Sequence, residues 1–177
     1  MPELKVIYYN VPEIVERTGH RKYHDDAALD TVIDYCLNPD KAPHGFVGAY
    51  GVNQYQAAFE MELLAEAFGK NRGLRLRHFI LSFSPQEAQV LGERVYQTLD
   101  EVARVVANYY ASDYQIIYAV HENTENPHIH FVMNTVSYIN GKKYGGKKRD
   151  YYQFLNYVHT YLYQRFRFRL IAVSDNG

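Results

Sequence analysis

The chain has no tryptophan and a single cysteine, Cys36, among its 177 residues. One thiol excludes an intramolecular disulfide and fits a reducing, cytoplasmic setting. Cys36 lies in an apolar helix-like run, where a small core residue is expected. Long hydrophobic runs are also missing. No stretch approaches the length of a membrane span, and Met1–Asn10 lacks the basic region and apolar core of a secretory signal. There is no internal repeat, low-complexity tract or domain linker. The expectation is one domain over residues 1–177, long enough to bury a core.

Net charge is close to nil at −1, but its distribution is uneven. Between Gly141 and Arg169 stand eight cations, Lys142, Lys143, Lys147, Lys148, Arg149, Arg165, Arg167 and Arg169, against one acid, Asp150. The local charge of +7 suits a polyanion held in one groove, or simply a solvated loop and helix end. Tyrosine is abundant at 18 residues, many of them between Tyr138 and Tyr163. Aromatic faces beside cations can stack bases while the cations hold phosphates. Part of that set has helical spacing instead: Tyr151, Phe154, Leu155, Val158, Leu162 and Phe166.

The most informative stretch runs from His121 to Asn134, with three imidazoles at His121, His128 and His130. Residues i and i+2 of a strand share a face, so His128, His130 and Asn134 align on one side and Ile129, Phe131 and Met133 on the other. The run Tyr114–Val120 reads as a second strand, and the turn Glu122–Pro127 brings it back antiparallel. His121 then lands beside His128 and His130. Three convergent imidazoles form a metal site with positions left open for a substrate. The spacing does not name the metal.

The remaining pattern reads as strands at 4–9, 46–51, 76–84 and 169–173, with helices at 25–37, 54–68, 85–110 and 150–167. Val11–Tyr23 is polar and reads as an extended segment. Ser84, Pro85 and Glu87 have the chemistry of a capped helix start. The order predicts an α+β fold: one antiparallel-containing sheet of about five strands, with helices mainly on one face.

At this point the chain resembles a known family. His121-x6-His128-x-His130-x3-Asn134 resembles the third motif of the HUH-type conjugative relaxases of the mobilisation-protein class. Asp34-Tyr35-Cys36-Leu37-Asn38-Pro39-Asp40-Lys41 is similar to that family's first motif, which carries the nucleophilic tyrosine on a helix. Arg77–Phe83 and Val136–Tyr144 resemble the segments that flank the third motif, and the blocks occur in the family's order.

The resemblance implies an HUH-endonuclease-like nuclease domain, either a naturally minimal relaxase or a domain excised from a longer one. It implies nicking and rejoining of one strand at a transfer origin by transesterification, through a 5′-phosphotyrosine, during mobilisation of a plasmid or integrative element. Tyr35 is the implied nucleophile, with Tyr23 as the fallback. His121, His128 and His130 are the implied ligands of one divalent ion, Mg²⁺ or Mn²⁺. His78 is a candidate base, or else a partly buried polar strand residue. Asn134 is a candidate for orienting a histidine or the substrate, or else for bonding a neighbouring strand. Lys142, Lys143, Lys147, Lys148, Arg149 and Arg77 are candidates for holding single-stranded or melted origin DNA, with accessory mobilisation proteins as further partners.

Three rivals stand beside this reading. A rolling-circle replication initiator or HUH transposase shares the chemistry but not the surrounding blocks. A histidine-triad nucleotide hydrolase wants a third alternating histidine where Val132 stands. A DNA-binding module with a degenerate site is disfavoured by the complete set of three histidines.

Overall fold

A computed structural model describes residues 1–6 and 26–174. The expected extended segment Val11–Tyr23, the end of the first expected strand and the fallback Tyr23 lie outside the described residues. The sheet is built from β1 (Glu3–Val6), β2 (Val47–Tyr50), β3 (Leu76–Ser82), β4 (Tyr114–His121), β5 (His128–Ser137) and β6 (Ile171–Ser174). Its order is β2-β4-β5-β3-β1-β6, antiparallel throughout except for the parallel β1–β6 pair. The α+β architecture expected from sequence is present, with six strands in the sheet.

The helices are α1 (Ala28–Cys36), α2 (Ala57–Ala67), α3 (Pro85–Leu91), α4 (Val95–Ala111) and α5 (Lys148–Phe166). The start of α3 has the expected capping box: Ser84 Oγ accepts from the Glu87 amide at 3.3 Å, and Glu87 Oε2 accepts from the Ser84 amide at 2.8 Å. The single helix expected over 85–110 is interrupted. Gly92 takes φ +75°, in the left-handed region, and a 3₁₀ turn over Gly92–Arg94 separates α3 from α4. Among the described residues no helix is long and apolar enough to cross a membrane.

The two faces of the sheet bury different cores. On one, Phe79 and Phe131 stack at 4.7 Å between ring centres and pack with Leu99, Val106, Phe154 and Val158 of α4 and α5. On the other, Ile117, Ala119 and Val132 meet Leu29, Val32 and Ile33 of α1 and Met61 of α2. The two longest helices therefore follow the expected one-sided arrangement, while α1 and α2 cover part of the opposite face. The central strands β4 and β5 are buried almost throughout, so both of their faces need cover. Alternation places the histidines on the α1 side, at the end of the sheet where α1 stops.

Candidate active site

His121 lies directly opposite His128 in the β4–β5 register, and His130 stands two pairs further along, opposite Ala119. The antiparallel hairpin thus gathers the three rings, with centroids 4.3 Å (His121–His130), 5.0 Å (His128–His130) and 5.3 Å (His121–His128) apart. One nitrogen from each can be chosen so that all three lie within 4.8 Å of one another.

The hydrogen bonds of the other nitrogens fix which atoms remain. His121 Nε2 donates to the Cys36 carbonyl at 2.7 Å, and its buried Nδ1 has no hydrogen-bond partner. A carbonyl can only accept, so Nε2 carries the proton and Nδ1 keeps its lone pair. His128 Nδ1 donates to the Asn126 carbonyl at 2.9 Å, leaving Nε2 as the lone-pair atom. His130 Nδ1 lies 2.8 Å from Nε2 of His78, whose ring stacks on it at 5.0 Å. With His130 as the donor of that bond, its Nε2 also faces outward as an acceptor. Holding one ring nitrogen by an acceptor so that the other can bind a metal is the usual support of histidine ligands. A buried lone pair without a partner, as at His121 Nδ1, is what a cation would satisfy. The three residues fit a metal ion.

Electrostatics agree. Burial is the main cause that lowers the proton affinity of His121 and His128, and His130 is lowered further by the charges of its histidine neighbours. All three are therefore held neutral, the form that ligates. The sign of the stability effect follows. The unfolded chain takes up protons near the ordinary imidazole value of about 6.5, and the folded chain resists them to lower pH. The metal-free protein should lose stability as pH falls below that value, and Mn²⁺, binding only the folded site, should add stability at pH 7. Urea midpoints at pH 7.5, 6.5 and 5.5 would check this, and a midpoint that rises on acidification would refute it.

Tyr35 is on the last turn of α1, 46% exposed, with its ring 5.5 Å from that of His130 and 5.8 Å from that of His121. Its neighbour Cys36 is fully buried, and its carbonyl is the one that fixes His121. Burial pushes the Cys36 thiol up to about 12, so it is an inert core group, as expected. The structure thus brings Tyr35, His121, His128, His130 and His78 together.

The other sequence candidates lie elsewhere. Asn134 is on the same face but four residues beyond His130. Its amide donates to the Met61 carbonyl at 3.1 Å and to Gln115 Oε1 at 2.9 Å, and its Oδ1 accepts from the Val136 amide at 3.0 Å. It ties α2 and β4 to β5. Arg77 alternates to the opposite face and is buried, with Nη1 donating to Tyr110 at 2.5 Å and Tyr144 at 3.0 Å. Phe79 and Phe154 flank the guanidinium within the aromatic core. Lys143 donates to the Leu74 and Arg72 carbonyls. Lys142, Lys147, Lys148 and Arg149 are exposed. Lys142 and Lys143 pair with Ser137 and Val136 at the far end of β5, while Lys147, Lys148 and Arg149 stand at the start of α5. Six residues of strand separate Val136 from His130, roughly 20 Å at about 3.3 Å per residue.

Sequence reasoning missed the carboxylate next to the site. Glu122 accepts from His44 Nδ1 at 2.6 Å through Oε2, while Oε1 is buried without a partner. Its adjacency to His121 was the available signal.

A relaxase nuclease-domain model of the MobA/VirD2-like type matches residues 35–163. The chain belongs to that family. The match begins at Tyr35 and spans all three clustered histidines. Membership implies a DNA-nicking enzyme that serves mobilisation. The relaxase domain is also similar to two group II intron-interrupted LtrB relaxases. One is from Lactococcus lactis subsp. cremoris strain MG1363, the other from Lactococcus lactis subsp. cremoris. Each is 24% identical over 162 residues, covering 76% of this chain and 28% of the relative. The chain therefore spans just over a quarter of the length of these curated relatives. No solved structure gives a significant match.

Proposed function

We propose that this relaxase domain nicks and rejoins one DNA strand at a transfer origin, with Tyr35 as nucleophile. The observation that carries the reading is the placement of an exposed tyrosine against imidazoles whose spare nitrogens converge. In the forward step the Tyr35 oxygen forms a bond to phosphorus and the P–O3′ bond breaks. The phenol gives up its proton and the departing 3′ oxygen gains one. The products are a 5′-phosphotyrosine and a free 3′-OH. One ester replaces another, so the step is close to thermoneutral and the 3′-OH can reverse it.

A divalent ion bound by His121, His128 and His130 would polarise the scissile phosphate and offset its developing charge. The all-nitrogen donor set favours Mn²⁺ over Mg²⁺, which prefers oxygen ligands. His78 orients His130 through its ring nitrogen rather than acting as the base for Tyr35. Buried and bonded to a ligand, it is a positioning residue.

The test uses a pool of 3′-labelled single-stranded oligonucleotides of randomised sequence with Mn²⁺, resolved on a denaturing gel. A labelled protein–DNA adduct supports the reading, and its absence under all metal conditions overturns it. A rolling-circle initiator or transposase would form the same adduct, and the family match favours mobilisation. The nucleotide hydrolase gains nothing, since Val132 is packed in the apolar core where that chemistry wants a histidine.

DNA is held in part by the exposed cations at the start of α5. Lys147 is the N-cap, Lys148 and Arg149 follow in the first turn, and no side chain caps the helix. Cations are disfavoured there by the helix dipole, and phosphate at that position reverses the penalty. Changing Lys147, Lys148 and Arg149 together to alanine should weaken binding across sequences. The log–log salt slope should flatten by about 2, at about 0.7 per lost phosphate contact on a single strand. Unchanged affinity and slope in fluorescence titrations would show the lobe to be only a solvated connection.

A further inference from the structure

One cation at the site has no role in anything above. Lys41 ends the turn that follows α1. Its amide donates to the Asn38 carbonyl at 3.0 Å, the Asp40 amide donates to Asn38 Oδ1 at 2.9 Å, and its own carbonyl accepts from the Glu122 amide at 2.8 Å. The backbone of Lys41 is thereby pinned both to the turn that follows the helix of Tyr35 and to the residue after His121. Its Nζ lies over the Tyr35 ring, 3.6 Å from the centroid.

The charge also stands beside the metal cluster, since the Tyr35 ring beneath it lies 5.8 Å from the ring of His121 and 5.5 Å from that of His130. Among the described residues no carboxylate pairs with it. A fixed ammonium beside a nucleophile and beside a site suited to a second cation is unfavourable in isolation. An anion between the two cations reverses the sign. The anion that the Tyr35 ring awaits is a phosphodiester.

We propose that Lys41 is the protein's own cation for the scissile phosphodiester, moving from the Tyr35 ring onto a non-bridging phosphate oxygen on the side away from the histidines. The inference rests on the relaxase reading. The contact is absent from the free protein and strengthens as negative charge builds on the phosphate. It therefore acts on the rate of phosphotyrosine formation more than on overall DNA affinity.

The experiment compares wild type, K41Q and K41R in two measurements: adduct formation with the 3′-labelled oligonucleotide pool, and Mn²⁺ binding by calorimetry without DNA. K41Q should form adduct about 10²-fold more slowly, the typical cost of losing one charge-stabilising donor. Its Mn²⁺ affinity should hold or rise by ~2-fold or more, because a neighbouring positive charge is gone. K41R, which keeps the charge, should recover part of the rate.

A merely structural Lys41 predicts the opposite pairing, with adduct and Mn²⁺ affinity falling together, and that result overturns the proposal. So does a K41R as slow as K41Q. If wild type forms adduct and K41Q matches it within a factor of about three, Lys41 is misassigned and the relaxase reading stands. If wild type forms none, the relaxase reading fails and takes this inference with it.

Discussion

Tyr35→Phe is expected to abolish the covalent adduct while leaving DNA binding and Mn²⁺ binding close to wild type. The substitution removes one oxygen and keeps the ring that faces His121 and His130. Tyr35 is 46% exposed, so little packing is lost. Loss of the attacking atom should lower adduct formation by at least ~10³-fold, the scale seen when a nucleophile is deleted. Denaturing gels would read the adduct, and anisotropy the binding. Tyr23→Phe is the control. If the Tyr23 variant is inactive and Tyr35→Phe still cleaves, the nucleophile is misassigned.

Removing a ligand should have the next largest effect. His121 is the most telling choice, since its buried Nδ1 has no partner and its Nε2 holds the Cys36 carbonyl. His121→Ala should lower Mn²⁺ affinity by ~10-fold or more, with nicking falling in parallel. Because the Cys36 carbonyl also loses its donor, the end of α1 is loosened next to Tyr35. His128→Ala separates the two effects: His128 is fixed by its own turn through Asn126, so α1 keeps its anchor. Both variants should lose metal, and wild type in excess chelator should behave like them. Undiminished nicking in chelator would remove the ion from the mechanism.

The histidine hairpin was legible because alternation in a strand is a local property. A period of two put His128 and His130 on one face, and a short turn could only return β4 antiparallel. The capping box at Ser84 was legible for the same reason, as three residues specify it. Tyr35 was legible only through its motif, since the chain has 18 tyrosines and its composition ranks none of them.

What escaped depended on register between distant strands. The His78–His130 bond follows from Ile80 standing opposite His130 in the β3–β5 ladder, and the two histidines are 52 residues apart. The same one-residue alternation sends Arg77 into the aromatic core on the opposite face of the sheet. The break at Gly92 and the seat of Lys41 on the Tyr35 ring are likewise set by tertiary packing.

The histidine cluster and the Lys142–Lys143 segment lie at opposite ends of β5, which makes that strand a fixed spacing between them. On the proposed reading, a single strand cut beside His130 and also held at Lys142 would cross roughly 20 Å, six residue steps of β-strand at about 3.3 Å each. The interval between nick and grip would then be a length set by the protein. β5 is held on both sides by β3 and β4, which makes that spacing rigid. A single residue inserted between His130 and Val136 would put the two ends of β5 out of phase, so the spacing could lengthen only two residues at a time.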